Sequence, residues 1–562
     1  MPEQPWFLHY PEGVPHELSL SPETLLAMFS RSAQRYSRRP ALYFFGKNLS
    51  YHECHALVER FACGLAALGI RKGDRVALCL PNSPQAVIAY FGILRAGGIV
   101  VACNPTYTEY ELSHQLRDAG ARAIVVLDMM YQKIQHLDLE TIIVTRITDF
   151  MTTIVKYIYQ HRNGRPPVEI PARDTTLFFH DVLDCVTPVA PEALPIVTPD
   201  DIAVLQYTGG TTGVSKGAEL RHRNLTANIR QLISWFSPTE RTESFLAALP
   251  LFHVLGMTVT QNICLAVGGC MVLVPDPRNM QMLLSLIHKK RPTVIAMVPL
   301  LVRKLLDTSA EKDLATAKFC ICGGAALPYE LLKKFKERTG QLIIEGYGLS
   351  EASPVTHCNI PRGLSVKHSI GLPIANTEAK IVDETGQEVP FGGIGELWVR
   401  GPQVMEGYWN NPVETVHVLK PEGWLATGDM ARMDEDGFFY IVDRKKDMIL
   451  STSGFNVYPS EIEKVLLLHP EVREAAVIGV LSGDGSESVK AVVVPSANEI
   501  SEHDLVKHCR RYLASYKVPK HIEFRSELPR TLLGKTLYRV LRKEEQGRRE
   551  AAAPSTPSGV VR

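Results

Sequence analysis

Short apolar runs alternate with amphipathic stretches over most of the chain. Apolar positions spaced as on one face of a helix predict helices, and the uninterrupted apolar runs between them predict buried strands. The predicted helices cover residues 21–36, 52–68, 85–96 and 109–119, and the predicted strands cover residues 41–45, 74–80, 98–102 and 123–127. The alternation resumes at residue 202 and continues to residue 345. Two successive blocks of this kind predict two doubly wound α/β subdomains packed together, an arrangement in which clefts form.

The pattern changes between residues 378 and 442, where apolar and polar residues alternate singly between Gly, Asp and Asn turns. This is typical of antiparallel strands, so we expect a small β-barrel or a distorted sheet there. A charged run, RKKD, follows, and beyond it strands and helices are mixed. The sequence thus predicts an α/β protein with a large N-terminal domain that contains two doubly wound subdomains and a small β-barrel-like subdomain. The predicted parts are this domain (1–443), a hinge (444–447), a small mobile α+β C-terminal domain (448–545) and a disordered tail (546–562).

Length, charge and cysteine content narrow the class of protein. A chain of 562 residues is too long for one ordinary core. Lys and Arg total 61 while Asp and Glu total 60, so no overall positive field favours nucleic acid, and we predict no nucleic-acid partner. Eleven cysteines show no CxxC pair, which is typical of a reducing compartment, so we expect a cytoplasmic location. Cys320 and Cys322 should point to one face of a buried strand.

Two segments bear on membrane contact. Residues 254–275 carry no charge, but the polar residues 258 and 260–262 and a Gly-Gly pair at 268–269 favour a helix followed by a buried strand over a membrane span. Residues 151–171 are basic and aromatic. That composition fits either amphipathic turns against a membrane or a solvated surface insertion, and the insertion is favoured.

One stretch, YTGGTTGVSKGAELRHRN at 207–224, carries four glycines, four hydroxyl side chains and Lys216 in its first eleven residues. A strand-like run leads into it, and helical spacing follows it. Glycines let backbone amides approach an anion, hydroxyls donate to it and a lysine neutralises it. The stretch is not a Walker A loop, because Lys216 is followed by Gly217 rather than by Ser or Thr. On composition alone, a phosphate-binding loop and a flexible polar loop remain equal alternatives.

Further segments place reactive side chains at the ends of predicted strands or in turns. They are LPLFH (249–253), EGYGLSE (345–351), LATGD (425–429), DR (443–444), SGFNVYPS (453–460) and PRTLLGK (529–535). In this order, and together with the loop, they resemble the adenylate-forming superfamily of acyl-CoA synthetases, luciferases and peptide-synthetase adenylation domains. The resemblance covers roughly residues 25–542. Within the superfamily, DRKKDMILSTSGFNVYPSEIE and WFLHYPEGVPHEL are most similar to bacterial long-chain fatty-acid–CoA ligases. Ser215 is a local departure, since many relatives have Pro or Ala before the loop lysine.

The resemblance implies a reaction in two steps. A fatty-acid carboxylate attacks the α-phosphate of ATP, which gives an acyl-adenylate and pyrophosphate, and the thiol of coenzyme A then displaces AMP. The implied cofactors and co-substrates are ATP, Mg²⁺ and coenzyme A. Two alternatives share the first step: a CoA ligase for a medium-chain or aryl acid, and a fatty acyl-AMP ligase that loads a carrier protein.

The resemblance also implies roles for individual residues. Contacts with ATP or AMP are implied for Thr208, Gly209, Gly210, Thr211, Thr212, Gly213, Lys216, Gly324, Ala325, Glu345, Gly346, Tyr347, Gly348, Asp429 and Arg444. Catalytic roles are implied for Lys535, Glu351 and His253, and Mg²⁺ coordination for Thr208 and Glu351. Lys446 corresponds to the hinge, and Gly454 to the passage of the pantetheine thiol.

Taken singly, several of these residues have ordinary structural explanations. His253 could be a satisfied loop or core histidine, Glu351 an acid at a helix N-terminus, Asp429 a turn former and Lys535 a solvated lysine. Their common order along the chain favours the functional interpretation. The predicted partners are a fatty acid, ATP and coenzyme A. A peripheral membrane contact at the inner face of the cell membrane and a homodimer are compatible with the sequence.

Overall fold

The computed structural model describes residues 4–163, 168–185, 190–208, 215–308, 311–361, 368–450, 456–481, 487–496, 500–531 and 534–552. The chain divides into two compact units. Unit 1 comprises Met1–Ala379, Trp398–Ala426 and Asp436–Phe438, and unit 2 comprises Lys380–Leu397, Thr427–Glu435 and Phe439–Arg562. Unit 2 therefore takes in residues 380–397, 427–435 and 439–443, which the sequence pattern assigned to the large domain. The hinge at 444–447 stays a prediction.

The helices and strands follow one another as the apolar pattern predicts. The first part of unit 1 contains α1 (Leu25–Arg35), β1 (Pro40–Phe44), β2 (Lys47–Ser50), α2 (Tyr51–Ala67), β3 (Arg75–Cys79), α3 (Pro84–Arg95), β4 (Ile99–Ala102), α4 (Glu109–Ala119), β5 (Ala123–Leu127), α5 (Tyr131–Ile134), β6 (Thr141–Thr145), α6 (Thr153–Asn163), β7 (Thr176–Phe178), α7 (Phe179–Leu183), β8 (Ile202–Thr208) and β9 (Lys216–Arg221). The next part contains α8 (His222–Phe236), β10 (Ser244–Ala247), α9 (Ile263–Ala266), β11 (Cys270–Leu273), α10 (Met280–Lys290), β12 (Val294–Met297), α11 (Pro299–Leu306), α12 (Glu311–Leu314), β13 (Phe319–Cys322), α13 (Tyr329–Thr339), β14 (Ile343–Gly348), β15 (Val355–Cys358) and β16 (Leu372–Pro373). The rest of the chain contains β17 (Glu378–Val382), β18 (Gly395–Arg400), α14 (Pro412–Val418), β19 (Leu419–Lys420), β20 (Trp424–Met433), β21 (Phe439–Arg444), β22 (Ile449–Leu450), β23 (Asn456–Val457), α15 (Pro459–Leu467), β24 (Val472–Leu481), β25 (Glu487–Pro495), α16 (Glu502–Cys509), β26 (His521–Phe524) and α17 (Tyr538–Ala552).

Two large, mostly parallel sheets form unit 1, which confirms the predicted pair of α/β subdomains. The first has the strand order β7-β6-β5-β3-β4-β8-β9, and the second has the order β16-β15-β14-β13-β12-β10-β11-β1-β2. Every residue of β5 and of β13 is buried, including Cys320 and Cys322 as predicted. Such continuous apolar strands are typical of parallel sheets that are covered on both faces.

The two sheets do not, however, correspond to two successive blocks of sequence. Strand β1 pairs with β11 in the second sheet, with Leu42 beside Met271, although β1 belongs to the first block. Strand β8 begins the second block, yet it pairs with β4 in the first sheet. The prediction of sequential blocks is therefore wrong in this detail. The apolar pattern could not reveal it, because both sheets offer a strand the same doubly buried environment.

The glycine-rich loop also connects different elements from those expected. The sequence pattern predicts a strand, then the loop, then a helix, but β9 lies between the loop and α8 and runs antiparallel to β8. The six residues of β9 separate the loop from the helix N-terminus by about 20 Å of extended chain. The loop therefore connects two strands of a hairpin, and the N-terminus of α8 does not flank it.

Residues 378–442 form antiparallel strands, as predicted. Strands β17 to β21 form one five-stranded sheet, in the order β17-β18-β20-β19 with β21 paired to β20. In unit 2, β24, β25 and β26 form a second sheet, with β25 antiparallel to β24 and parallel to β26. One face of this sheet packs on α15 and α16 through residues such as Val477 and Ile462, and the other face packs on Leu541 of α17.

Three further segments compare with their predictions as follows. Residues 254–275 form a helical stretch, π-helical over Gly256–Asn262, followed by β11, so the predicted helix and buried strand are confirmed. Among the described residues, no helix is long and apolar enough to cross a membrane. The surface insertion at 151–171 contains a helix, α6. Helix α17 continues to Ala552, so residues 546–552 are helical where a disordered tail was expected, and Arg548 forms an ion pair with Glu523 of β26.

Candidate functional site

The ends of the glycine-rich loop lie opposite each other in the β8–β9 hairpin. Thr208 is the last residue of β8, Lys216 is the first residue of β9, and the two are register partners. The loop residues predicted to contact phosphate between them lie outside the described residues: Gly209, Gly210, Thr211, Thr212 and Gly213. The structure therefore defines the two ends of the loop, and the roles of its central residues stay predictions.

Lys216 is held in place by two side chains from the segment around α14. Only 9% of its side chain is exposed, and its ammonium group forms an ion pair with the carboxylate of Glu414. The same ammonium lies 5.5 Å from the centre of the Tyr408 ring, within the range of a cation–π contact. The hydrogen bond from Lys216 lowers the pKa of Glu414, so this carboxylate is charged at neutral pH. The loop lysine is thus an ordered, paired cation.

Tyr408 connects this cation to the predicted metal-binding carboxylate. Its hydroxyl donates a hydrogen bond of 2.7 Å to Oε1 of Glu351. Burial, followed by the charge of Glu351, raises the pKa of Tyr408, which keeps the hydroxyl protonated as a donor. Glu414, Lys216, Tyr408 and Glu351 therefore form a continuous series of contacts within unit 1, which we call the charge series. The structure brings together Lys216 and Glu351, two residues that the sequence predicted separately.

The backbone fixes the charge series through strand β9. Residues 407–409 run beside β9: the amide of Trp409 donates to the carbonyl of Gly217 at 2.8 Å, and the amide of Glu219 donates to that of Gly407 at 2.9 Å. The amide of Met405 donates to the Glu351 carbonyl at 2.8 Å. The ring of Tyr408 consequently has little freedom to move away from either charged partner.

Tyr408 and Glu414 were not predicted from the sequence. The side chain of Asn411 accepts a hydrogen bond from the amide of Glu414 at 3.2 Å, so Asn411 caps α14 and Glu414 occupies its first turn. Asn-Pro followed by Glu is an ordinary helix start, and that local explanation accounts for the residues without a ligand. Only the distant pairing with Lys216 identifies the site, and no local pattern encodes that pairing.

Glu351 and Thr208 offer hard oxygen donors of the kind that Mg²⁺ prefers. Tyr408 donates its hydrogen bond to Oε1 of Glu351 and does not occupy Oε2. Within the described parts of the chain, no group of three or more His, Cys, Asp or Glu residues could hold a metal ion. In nucleotide sites, Mg²⁺ is usually held by one or two carboxylates together with phosphate oxygens, so the Glu351 carboxylate fits that arrangement and Thr208 would add a hydroxyl ligand.

The predicted adenine-binding residues lie at neighbouring strand ends in the second sheet. Strands β13 and β14 are parallel, with Cys322 beside Glu345, so residues 323–325 and 345–348 meet at one edge. Gly324 has φ of +83°, a conformation that favours glycine, and Ala325 is exposed. Strand ends of this kind are where open α/β sheets bind ligands.

Strand β14 imposes its own constraints at this edge. A Cβ atom on Gly348 would lie 2.0 Å from the carbonyl oxygen of Pro354, whereas a Cβ atom on Gly346 would meet nothing closer than 3.8 Å. Gly348 is therefore required for the close approach to β15. The half-buried Tyr347 ring meets the His357 ring edge-on at 5.8 Å. Burial raises the pKa of Glu345 to about 7.

His253 lies in a turn just before the helical stretch that contains Gly256–Asn262. Its Nδ1 accepts a hydrogen bond of 3.3 Å from the amide of Leu255. In the neutral ring this leaves the proton on Nε2. The imidazole is half-buried, and its role in binding the acyl carboxylate stays a prediction.

In unit 2, the two predicted ribose-binding residues are partners across adjacent strands. Asp429 of β20 is opposite Arg444 of β21, and Nε of Arg444 lies 2.7 Å from Oδ1 of Asp429. Asp429 is only 3% exposed, while Arg444 is exposed. The arginine fixes one carboxylate oxygen, so the carboxylate has a defined orientation toward any hydroxyl that approaches it.

The remaining predicted residues of unit 2 lie in turns. Lys535 is exposed in a tight turn, in which the amide of Thr531 donates to the carbonyl of Lys535 at 2.8 Å. Lys446 is exposed in the 3₁₀ turn Lys445–Asp447. Gly454 lies outside the described residues.

Comparison with known families identifies the family to which the chain belongs. The family described as AMP-binding enzyme matches residues 29–409, and the family described as AMP-binding enzyme C-terminal domain matches residues 461–535. The chain belongs to the AMP-binding enzyme family. Curated members of the family resemble it over nearly their full length. A long-chain-fatty-acid–CoA ligase of Bacillus subtilis is 43% identical over 97% of this chain and 98% of its own. A protein of the same name from Escherichia coli is 42% identical with the same coverage. A feruloyl-CoA synthase of an Amycolatopsis species is 34% identical over 90% of this chain and 96% of its own.

Solved structures of AMP-binding enzymes share the fold. ATP-bound MatB from Rhodopseudomonas palustris superposes with a TM-score of 0.81 at 30% identity and covers 93% of this chain and 99% of its own. An anthranilate CoA ligase in complex with anthranoyl-AMP has a TM-score of 0.81 at 28% identity and covers 95% and 99%. These likenesses confirm the α/β fold with a large N-terminal and a small C-terminal domain.

The first prediction concerns the ion pair of the charge series. Replacing Glu414 with Gln should raise both the dissociation constant and the KM for ATP by about three- to tenfold, because Lys216 then loses the partner that holds its flexible side chain. The KM for the acid should change little. Isothermal titration with ATP and steady-state kinetics measure these quantities.

Glu406→Gln is the matched control, because Glu406 forms its ion pair with Arg223 in the same unit and does not contact Lys216. Tighter ATP binding by Glu414→Gln would contradict the prediction, since it would mean that Glu414 mainly competes with the phosphates.

Proposed function

We propose that the protein is an ATP-dependent long-chain fatty-acid–CoA ligase that acts through an acyl-adenylate and releases AMP and pyrophosphate. The observation that carries this proposal is the likeness, over 97% of the chain, to relatives named long-chain-fatty-acid–CoA ligase. The charge series supports it chemically, because Tyr408 connects the Lys216 cation to the Glu351 carboxylate, which suits a metal ion. A nucleoside triphosphate requires both kinds of group.

In the first step, an oxygen of the fatty-acid carboxylate attacks the α-phosphate and the bond to the β-phosphate oxygen breaks. Both reactants are anions, so positive charge near the phosphates lowers the barrier. Lys216 supplies such a charge at the end of the loop, where the departing pyrophosphate would lie. Glu351 and Thr208 would hold Mg²⁺, which supplies further positive charge to the phosphates when it is bound. Tyr408 keeps the Glu351 carboxylate oriented during this step.

The residues of unit 2 take complementary roles in the proposal. Asp429, oriented by Arg444, would accept hydrogen bonds from the ribose hydroxyls. Lys535 would contact the α-phosphate and the acyl carboxylate only while the acyl-adenylate forms, as a flexible cation on an exposed turn can do. In the second step, the thiol of coenzyme A attacks the acyl carbon and AMP leaves. Gly454 would leave room for the thiol, and His253 would line the site of attack.

A second candidate is a CoA ligase for an aryl acid. Two observations favour it: the feruloyl-CoA synthase is 34% identical over 90% of the chain, and the anthranilate CoA ligase shares the fold. The higher identity to the long-chain ligases favours the fatty acid. Loading of a carrier protein is a further alternative that shares the first step, and dependence on coenzyme A separates it from both ligases.

The substrate proposal predicts a defined pattern of pyrophosphate release. With ATP and Mg²⁺, saturated acids of about 12 to 18 carbons should support a single turnover without coenzyme A and multiple turnovers with it. Their apparent affinity should exceed that of shorter acids, because each added buried methylene contributes about 0.8 kcal/mol of binding. Ferulate and benzoate are the comparison acids. Faster turnover with an aryl acid than with any fatty acid would overturn the substrate class. If pyrophosphate release stays limited to one turnover when coenzyme A is added, the acyl group has another acceptor.

A separate prediction concerns Lys535. Lys535→Ala should slow adenylation by about a hundredfold or more, because it removes a positive charge from the reacting phosphate. The rate of thioester formation from synthetic acyl-adenylate and coenzyme A should stay within about twofold of the wild-type rate, which corresponds to about 0.4 kcal/mol of activation free energy. The two half-reactions are measured separately by pyrophosphate release and by acyl-CoA formation. An equal loss in both would refute the assignment.

The proposal includes a peripheral contact with an anionic lipid surface through α6. Three apolar side chains at helical spacing are exposed on this helix: Ile154, Tyr157 and Ile158, at 74%, 65% and 46%. Residues 151–165 contain three Lys or Arg residues and no Asp or Glu. Tyr159 packs edge-on against Phe45, with ring centres 5.6 Å apart, and this contact attaches α6 to the rest of unit 1. An apolar face with basic neighbours is typical of helices that lie on membranes, and fatty acids partition into membranes. This contact would place the protein in the cytoplasm at the inner membrane face.

Vesicle binding tests this surface. The double variant Ile154→Ser/Ile158→Ser should lower partition onto phosphatidylglycerol vesicles by about tenfold or more, because it removes two exposed apolar side chains. Ile196→Ser is the matched control, since Ile196 is 85% exposed and lies away from α6 in sequence. Equal binding by the double variant and the control would exclude α6 as the contact.

Sedimentation of the protein without vesicles measures whether it forms a homodimer.

A further inference from the structure

One arm of the Lys535 turn contacts strand β24 directly, and the other contacts it through Glu463 of α15. On the arm before the turn, Arg530 donates to Oε2 of Glu474 at 2.9 Å and to the carbonyl of Gly534 at 2.6 Å. On the arm after it, the hydroxyl of Tyr538 donates to Oε1 of Glu463 at 2.8 Å. The same oxygen of Glu463 accepts the amide of Val477, in β24, at 2.8 Å. The turn is therefore attached to β24 directly at Glu474 and, through Glu463 of α15, at Val477.

The attachment after the turn uses a buried acid. Burial is the main cause that raises the pKa of Glu463 to about 7; the hydrogen bonds from Val477 and Tyr538 oppose this rise, and the charges of Asp443 and Asp447 add to it. Burial also raises the pKa of Tyr538, so its hydroxyl stays a donor. A buried carboxylate that accepts two hydrogen bonds is costly to leave unpaired, which makes the position of the Tyr538 ring well defined.

The same two elements reach the segment predicted to be the hinge. Helix α15, which carries Glu463, begins beside Asp443, whose Oδ2 accepts the amide of Ser460 at 2.8 Å. Helix α17 carries Tyr538 and, four residues later on the same face, Arg542, which donates to Oδ1 of Asp447 at 2.7 Å. All of these residues belong to unit 2. The position of the Lys535 turn is thus linked to residues 443–447 by two independent contacts.

We propose that Tyr538 and Glu463 are positioning residues for Lys535. Their hydrogen bond fixes the start of α17 against α15 and β24, and so determines where the Lys535 turn lies relative to residues 443–447. Lysine contributes to a reaction only when its flexible side chain reaches the charge that develops, so the location of its backbone sets how often this happens. This inference rests on the proposed function, in which Lys535 acts in adenylation alone. It predicts that a residue with no contact to substrate affects one half-reaction and spares the other.

Tyr538→Phe tests the inference, because it removes the hydroxyl and keeps the ring in the core. Single-turnover adenylation at saturating ATP and acid should fall about three- to tenfold, the range that corresponds to one hydrogen bond. Thioester formation from supplied acyl-adenylate should be unchanged. Tyr512→Phe is the matched control, since Tyr512 is 59% exposed in the same unit. An equal loss in both half-reactions, or no loss in adenylation, would overturn the inference.

A double-mutant cycle with Lys535→Ala separates positioning from a general loss of structure. If Tyr538 acts through Lys535, the change Tyr538→Phe should have no further effect on adenylation once Lys535 is Ala. A further loss of the same size as in the wild type would overturn the inference. If Lys535→Ala itself left adenylation intact, the proposed role of Lys535 would fail. If only Tyr538→Phe had no effect, the inference alone would fail.

Glu463→Ala provides a second variant with the same expected signature. It removes the acceptor from both Tyr538 and the Val477 amide, so its effect on adenylation should be at least as large as that of Tyr538→Phe. Thermal unfolding of each variant is measured in parallel. Glu463→Ala that stays folded and adenylates at the wild-type rate would overturn the inference.

Discussion

The antiparallel pairing of β8 with β9 is the constraint on which the candidate nucleotide site of unit 1 depends. It places Thr208 opposite Lys216, so the glycine-rich loop spans a fixed distance. The other edge of β9 holds residues 407–409 through backbone hydrogen bonds, and these present Tyr408 to both Lys216 and Glu351. The charged groups are therefore positioned by main-chain pairing, which has few alternatives, and not by side-chain contacts alone. Preorganised charge of this kind is the usual means of stabilising phosphate chemistry.

The types of elements were predictable because each depends on local residues. The run from Ala123 to Leu127 is a strand wherever it is buried, and the capping pattern at Thr108 and Glu111 starts α4 through reciprocal hydrogen bonds. The sheet that each strand joins depends on distant partners, and the exchange of β1 and β8 between the sheets left no trace in the apolar pattern. Strand β9 was missed for another reason. Its sequence, KGAELR, is short and polar enough to be read as the end of a loop.

The candidate site shows the same division between local and distant information. Lys216, Glu351, Asp429 and Arg444 lie in segments whose sequence resembles a known family, so they could be selected as candidates from the sequence, and their contacts became visible only in the structure. Four other residues support these candidates without contacting substrate in the proposal. Tyr408 and Glu414 contact Lys216, and the proposal assigns the positioning of Lys535 to Glu463 and Tyr538. Each also fits an ordinary local role, such as a helix acid or a core aromatic residue. Their importance rests on contacts between residues distant in sequence, and a single sequence does not contain that information.

The exchange of strands between the two sheets of unit 1 has a consequence for how the chain folds. The second sheet receives β1 from the beginning of the chain and β11 from more than two hundred residues later, while the first sheet is incomplete until β8 and β9 exist. During synthesis, β1 can therefore pair only with β2, and β4 only with β3, until much of unit 1 has left the ribosome. Long-range parallel pairing of this kind is slow and exposes apolar edges in the meantime. The interleaving that joins the two sheets therefore prolongs the time for which apolar strand edges of the newly made chain are exposed to aggregation.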